Sequence, residues 1–166
     1  MTNKELVLDA LRKIGKASAA DLQTRSESMT GTELYAEEDY IPDFQAAKAQ
    51  KNMLEREAGF VCRSTAGRVV RLIQNYDSTV YTQEPEDLPA QYRFVWSTDP
   101  GKALPFVALS TSPYATGDCA TYPVNETGQP DPDGTAIHVF RSGQDNNVWA
   151  PGTVGVKWED LGEVTV

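Results

Sequence analysis

Residues 59–74, Gly59-Phe60-Val61-Cys62-Arg63-Ser64-Thr65-Ala66-Gly67-Arg68-Val69-Val70-Arg71-Leu72-Ile73-Gln74, separate two textures of this chain. Two β-type runs, Phe60 to Arg63 and Val69 to Ile73, flank a short Ser-Thr-Ala-Gly turn, the usual signature of a hairpin. Upstream the pattern is helical. Downstream it is short apolar runs broken by Pro, Gly, Asp and Asn. The expectation is a mainly β chain with N-terminal α-helices, built as two small β-hairpin modules.

Residues 2–14 predict the first helix. Thr2 and Glu5 have capping-box spacing, Leu6, Ala10 and Ile14 recur at helical period, and Val7 and Leu11 lie beside them. Gly15 reads as its end. A weaker helical stretch runs from about Ser18 to Met29, with a stop at Gly31. Thr30 and Glu33 repeat the capping spacing. Pro42 and Phe44 interrupt, and residues 45–56 favour helix by propensity. The segments are then 1–39, helical; 40–91, a first small β module; and 92–166, a second. An exposed amphipathic helix without a sheet of its own suggests docking in a homo-oligomer or on a neighbouring subunit, or a cap on its own β modules.

In the second module the apolar runs are 92–96 and 104–109, then the strand 135–141. Asn125 to Gly134 reads as a loop. Residues 135–141 alternate, with Ile137, Val139 and Arg141 on one face and Ala136, His138 and Phe140 on the other. A degenerate internal duplication relates the Gly59–Gln74 hairpin to a second one over Gly117–Arg141, each followed by a Pro-containing turn.

Composition limits the function. Fifteen Lys and Arg stand against twenty-four Asp and Glu, a net charge of −9, with no basic stripe for nucleic acid or an anionic membrane. No apolar run is long enough for a membrane span, and Met1 to Lys16 is charged and amphipathic rather than a signal-peptide core. The expectation is a chain made in the bacterial cytoplasm without a signal peptide. Cys62 and Cys119 belong to no CxxC pair, so free thiols are expected, with a disulfide as the alternative. One histidine, His138, excludes a Ser-His-Asp or Cys-His set built in the ordinary way. The acids cluster in loops, Glu37-Glu38-Asp39 and Glu84-Pro85-Glu86-Asp87, which read as solvated faces rather than a glycosidase pair. Asp131-Pro132-Asp133-Gly134 lacks the alternation of a calcium loop and reads as a turn. No catalytic residue, metal or cofactor is expected.

The carboxy-terminal half resembles a known family. Trp96, Tyr114-Ala115-Thr116-Gly117-Asp118, Gly134, Val139-Phe140-Arg141-Ser142, Trp149 and Trp158 occur in the order found in small chitin-binding carbohydrate-binding modules of families 5 and 12. The ending Asp145-Asn146-Asn147-Val148-Trp149-Ala150-Pro151 is also similar to the ends of small bacteriophage and prophage tail-associated proteins. The resemblance implies a non-catalytic protein that binds a chitin- or peptidoglycan-like surface glycan and works beside other phage tail proteins, as a tail or baseplate component aiding host adhesion. Sugar rings stack their CH faces on aromatic planes while polar side chains fix orientation. The expected binding residues are therefore Trp149, Tyr114, Asn146, Asn147, Trp158 and Trp96. Trp96 and Trp158 also have a core reading, and Asp118 is expected to hydrogen-bond its own turn. The alternative is a structural virion or tail-assembly protein without glycan binding, favoured by Cys119-Ala120-Thr121 after Gly-Asp and by the long acidic loops. A weaker alternative is an accessory segment of a glycoside hydrolase.

Overall fold

The computed structural model describes residues 1–164 and divides into two compact units, Met1–Tyr92 and Arg93–Val166. The helical segment 1–39 and the first β module 40–91 therefore form one unit rather than two. Helix accounts for about 31% and strand for about 21% of the chain, so the fold is mixed α and β with two sheets, not mainly β.

The first unit opens with α1, Asn3–Arg25. The Thr2 and Glu5 side chains cap it reciprocally: the Thr2 amide donates to Glu5 Oε2 at 2.6 Å and the Glu5 amide to Thr2 Oγ1 at 3.2 Å. Gly15 does not end the helix, which runs through into the stretch expected as a second one. A helical glycine costs only about 1 kcal/mol against alanine, and nothing downstream of Gly15 offers a competing cap. The helix is anchored at its far end by Leu22, which is fully buried. Gln23 completes the anchor. Its side-chain amide donates to the Val61 carbonyl at 2.6 Å and accepts from the Val61 amide at 2.9 Å, occupying the open edge of a strand as a neighbouring strand would.

That strand is β1, Val61–Arg63, antiparallel to β2, Val69–Leu72, with Cys62 opposite Val70. The expected hairpin is present. The sheet order is β1-β2-β3, with β3 at Tyr92–Phe94. α2, Gly31–Ala36, carries the second capping box, Thr30 with Glu33. α3, Phe44–Gln50, starts at the phenylalanine expected to interrupt the pattern, because Asp43 caps it by accepting the Ala46 amide at 3.0 Å. Leu34, Phe44, Met53, Val61, Val69 and Leu72 are buried without measurable exposure.

The acidic loop 84–87 is a correction to the sequence reading. Glu86 Oε1 accepts from Ser64 Oγ at 2.8 Å and from Arg68 Nη1 at 3.1 Å. Glu84 accepts from the Thr65 amide and hydroxyl and from the Gln45 side-chain amide. These carboxylates hold the β1–β2 turn, which sequence spacing of about twenty residues conceals.

The second unit contains β4 Leu104–Pro105, β5 Cys119–Val124, β6 Ala136–Ser142 and β7 Trp158–Glu163, in the order β4-β5-β6-β7. β4 runs parallel to β5, and the other pairs are antiparallel. Only Leu104 and Pro105 of the expected run 104–109 are strand. Asn125 to Thr135 connects β5 to β6. Its end requires Gly134, where a Cβ would lie 2.2 Å from the Val124 carbonyl oxygen. Asp131-Pro132-Asp133-Gly134 closes a turn, with Asp131 accepting both the Asp133 and Gly134 amides. Cys62 and Cys119 are free and buried.

Candidate functional site

The aromatic residues of the second unit separate into a buried column and an open shelf. Trp96 stacks on Tyr114 with ring centroids 4.2 Å apart and planes at 15°; Phe94 and Phe106 extend the stack at either side. Tyr114 is 1% exposed and Trp96 is buried, its indole donating to the Ser112 carbonyl at 2.9 Å. Two residues expected to meet sugar therefore form the interior. A module of this size needs large rings to exclude water at all, and these two supply them.

Asn147 is a third correction, because it is completely buried. Its backbone pairs with Tyr114 in both directions, at 2.8 and 2.9 Å. Its side chain donates to Ser142 Oγ at 3.1 Å and accepts the Trp149 amide at 3.2 Å. The Tyr-x-x-Gly-Asp segment is closed in the same way. Gly117 adopts φ 97°, Asp118 accepts the Ala115 amide at 2.8 Å, and Asp145 accepts the Thr116 amide at 2.8 Å. Asp118 thus bonds its own turn, as expected. Burial pushes its carboxyl above the ordinary range, against the opposing Ala115 N–H. The Thr116 N–H holds the Asp145 carboxyl below that range.

What this network presents outward is Trp149, 50% exposed, two residues after the buried Asn147. Asn146 before it is exposed and in the left-handed region at φ 54°, a conformation asparagine tolerates better than most residues. Trp158 is half-buried. Its edge meets Tyr114 at 5.5 Å and Phe106 at 6.0 Å, and its indole N–H donates to the Trp149 carbonyl at 2.9 Å. That bond fixes the two indole-bearing segments to one another.

Trp158 also lines a cleft of about 310 Å³, together with Phe140, Pro130, Gln129, Thr153 and Asp160. Cross-strand pairing explains the grouping: Phe140 lies opposite Asp160, and Ser142 opposite Trp158. Asp160 is held by His138, whose Nδ1 is 2.8 and 2.9 Å from its two oxygens. Gln129, Thr153 and Asp160 stand in no motif that sequence reasoning could single out. They come together through the loop 125–135 and the β6–β7 pairing, neither of which has a local motif. The cleft combines an aromatic wall with hydrogen-bonding groups of both kinds.

The first unit has a larger concavity, about 610 Å³, lined by Gln23, Lys51, Phe60, Arg56 and Arg71 among others. The Arg56 guanidinium lies 4.1 Å from the Phe60 ring centre, so the one aromatic face there is already covered. Three glutamates, Glu27, Glu55 and Glu57, offset its cations. Size alone therefore does not make it the better site for a ring-stacking ligand. Among the described residues no group of three or more His, Cys, Asp or Glu side chains is arranged to hold a metal ion, and no helix is long and apolar enough to cross a membrane.

No protein-family model matches this chain, no curated protein matches it, and no solved structure matches it.

Proposed function

We propose that the second unit is a non-catalytic glycan-binding module, with Trp149 as the stacking platform and the Trp158 cleft as the adjoining subsite. The observation that carries this reading is a half-exposed tryptophan whose backbone is held by hydrogen bonds on both sides. The Trp149 N–H is held by Asn147 and its carbonyl by Trp158. With its backbone already held, the residue has less freedom to lose when a sugar stacks on its ring, which favours weak carbohydrate recognition. Asn146, Gln129, Thr153 and Asp160 supply polar groups for sugar hydroxyls. The family resemblance suggests a chitin- or peptidoglycan-like glycan and a place in a phage or prophage tail or baseplate, beside other tail proteins.

The test is intrinsic tryptophan fluorescence during titration with chitin oligosaccharides and with peptidoglycan fragments. Saturable change is expected, and Trp149→Ala abolishes it while leaving the fold intact. No change at millimolar sugar overturns the reading. A second reading, a structural virion or tail-assembly protein, is favoured by the burial of Tyr114, Trp96 and Asn147. Under it the motif residues persist because they build the fold.

A further inference from the structure

Arg56 and Arg71 both line the concavity of the first unit, and each keeps donors that the protein does not fill. Arg56 Nη2 donates to the Ala47 carbonyl at 2.7 Å, and its guanidinium lies over the Phe60 ring. Arg71 Nη2 donates to the Ser26 carbonyl at 2.9 Å. Ala47 is in the last turn of α3 and Ser26 caps α1, so each cation sits at a helix C-terminus, where it is favoured. That role occupies one nitrogen of each three. Arg56 Nε and Arg71 Nη1 are buried without a hydrogen-bond partner, and among the described residues no carboxylate pairs with either side chain. Arg25, Arg63 and Arg68 of the same unit each meet a carboxylate.

A guanidinium keeps its charge in a protein, so burial without a counter-ion is a standing cost. Burial pulls both groups below their ordinary value, and on Arg71 the charge of Glu27 opposes this from beyond ion-pair distance. Two such groups, already oriented by carbonyls and by a ring, form a preorganised receptor for an anion. A planar carboxylate matches the guanidinium fork. The lining sets Lys51, Arg56 and Arg71 against Glu27, Glu55 and Glu57, so it accepts one negative charge more readily than two. Its volume, about 610 Å³, admits a small organic molecule. We propose that this concavity binds a small organic monocarboxylate through the guanidiniums of Arg56 and Arg71. The ligand oxygens accept from the nitrogens left neither bonded nor buried, Arg56 Nη1 and Arg71 Nε. The site lies wholly in the first unit and is independent of glycan binding by the second.

The test is titration of the isotope-labelled full chain with benzoate, following the arginine Nε–H resonances. Those of Arg56 and Arg71 are expected to shift saturably, while those of Arg25, Arg63 and Arg68 stay in place. Benzamide, which has the same shape without the charge, gives no shift, and inorganic phosphate binds more weakly than benzoate. N-acetylglycine distinguishes the source of the carboxylate: tighter binding than benzoate indicates a peptide end, weaker binding a free acid. Arg71→Gln weakens benzoate by about tenfold. Glu27 is exposed and unbonded, so Glu27→Gln keeps the fold and tightens benzoate by about twofold at low salt. No saturable shift at tens of millimolar benzoate, equal binding of benzamide, tighter binding of phosphate, or unchanged affinity in a folded Arg71→Gln or Glu27→Gln chain each overturns the proposal.

Discussion

Replacing Tyr114 and Trp149 separately by alanine tests the division between column and shelf. Tyr114 is stacked between Trp96 and Phe106, meets the edge of Trp158, and is 1% exposed. Its ring cannot be removed without opening a cavity that the rigid stack cannot close, so Tyr114→Ala costs about 4 kcal/mol. For a domain of this size that lowers the midpoint by roughly 20 °C. Trp149 is half-exposed, and both of its hydrogen bonds use backbone atoms that alanine keeps. Trp149→Ala therefore costs only about 1 kcal/mol, a few degrees, from the half of its surface that is covered. The assay is selective, because Trp96, Trp149 and Trp158 all belong to the second unit and their fluorescence follows its unfolding alone. Denaturant titration gives the two free energies. A Tyr114→Ala loss of about 1 kcal/mol or less would refute the buried column. A Trp149→Ala loss as large as that of a core ring would refute the shelf, and with it the sugar platform.

Burial pushes the Cys62 thiol up to about 12 and raises that of Cys119 as well; native protein should resist a thiol reagent near neutral pH, and labelling of either cysteine before unfolding would contradict its burial. Because the Asp118 carboxyl is raised by desolvation, its contribution to stability is present below the ordinary carboxylate value and is lost as pH climbs through the raised one. Asp118→Asn keeps an acceptor for the Ala115 amide but removes this loss, so the second unit of the variant should gain midpoint relative to wild type as pH rises; an unchanged difference across acid pH argues against the shift. At Gly15 a Cβ meets nothing within 4 Å, and Gly15→Ala should stabilise α1 by about 1 kcal/mol, read from thermal loss of helix signal. A destabilised variant would mean that the helix does break there.

Local chemistry made part of this fold readable. Both capping boxes, Thr2 with Glu5 and Thr30 with Glu33, satisfy the donors they were expected to satisfy. The hairpin around Ser64 to Gly67 follows directly from its turn. The failures share a cause, which is that the deciding contacts lie far away in sequence. Gly15 reads as a stop until Leu22 and Gln23 dock the later turns onto β1. Glu84 and Glu86 read as solvated until they are seen against Ser64, Thr65 and Arg68. At the site, Trp149 and Asn146 stand where an aromatic beside a run of amides suggests. Nothing in the spacing separates Tyr114 from Trp149, since both are rings next to turns.

Burial of the motif residues also bears on where specificity resides. Tyr114, Gly117, Asp118, Ser142 and Asn147 are joined by backbone pairing and short side-chain bonds. Each could therefore be retained for the architecture of the turn alone, whether or not a sugar is bound. The groups free to contact a ligand are those the network displays: Trp149, Asn146, and the cleft formed by Trp158 with Gln129, Thr153 and Asp160. The loop bearing Gln129 is tied by the Asn125–Gln129 turn, by the Asp131 amide on the Pro123 carbonyl at 3.0 Å and by Gly134 against Val124. It contributes no ring to the aromatic column. The motif residues thus build the turn and the column behind it. Under the glycan-binding proposal the choice of ligand would fall to residues outside the motif, and the two proposed readings differ only in whether the displayed surface is used.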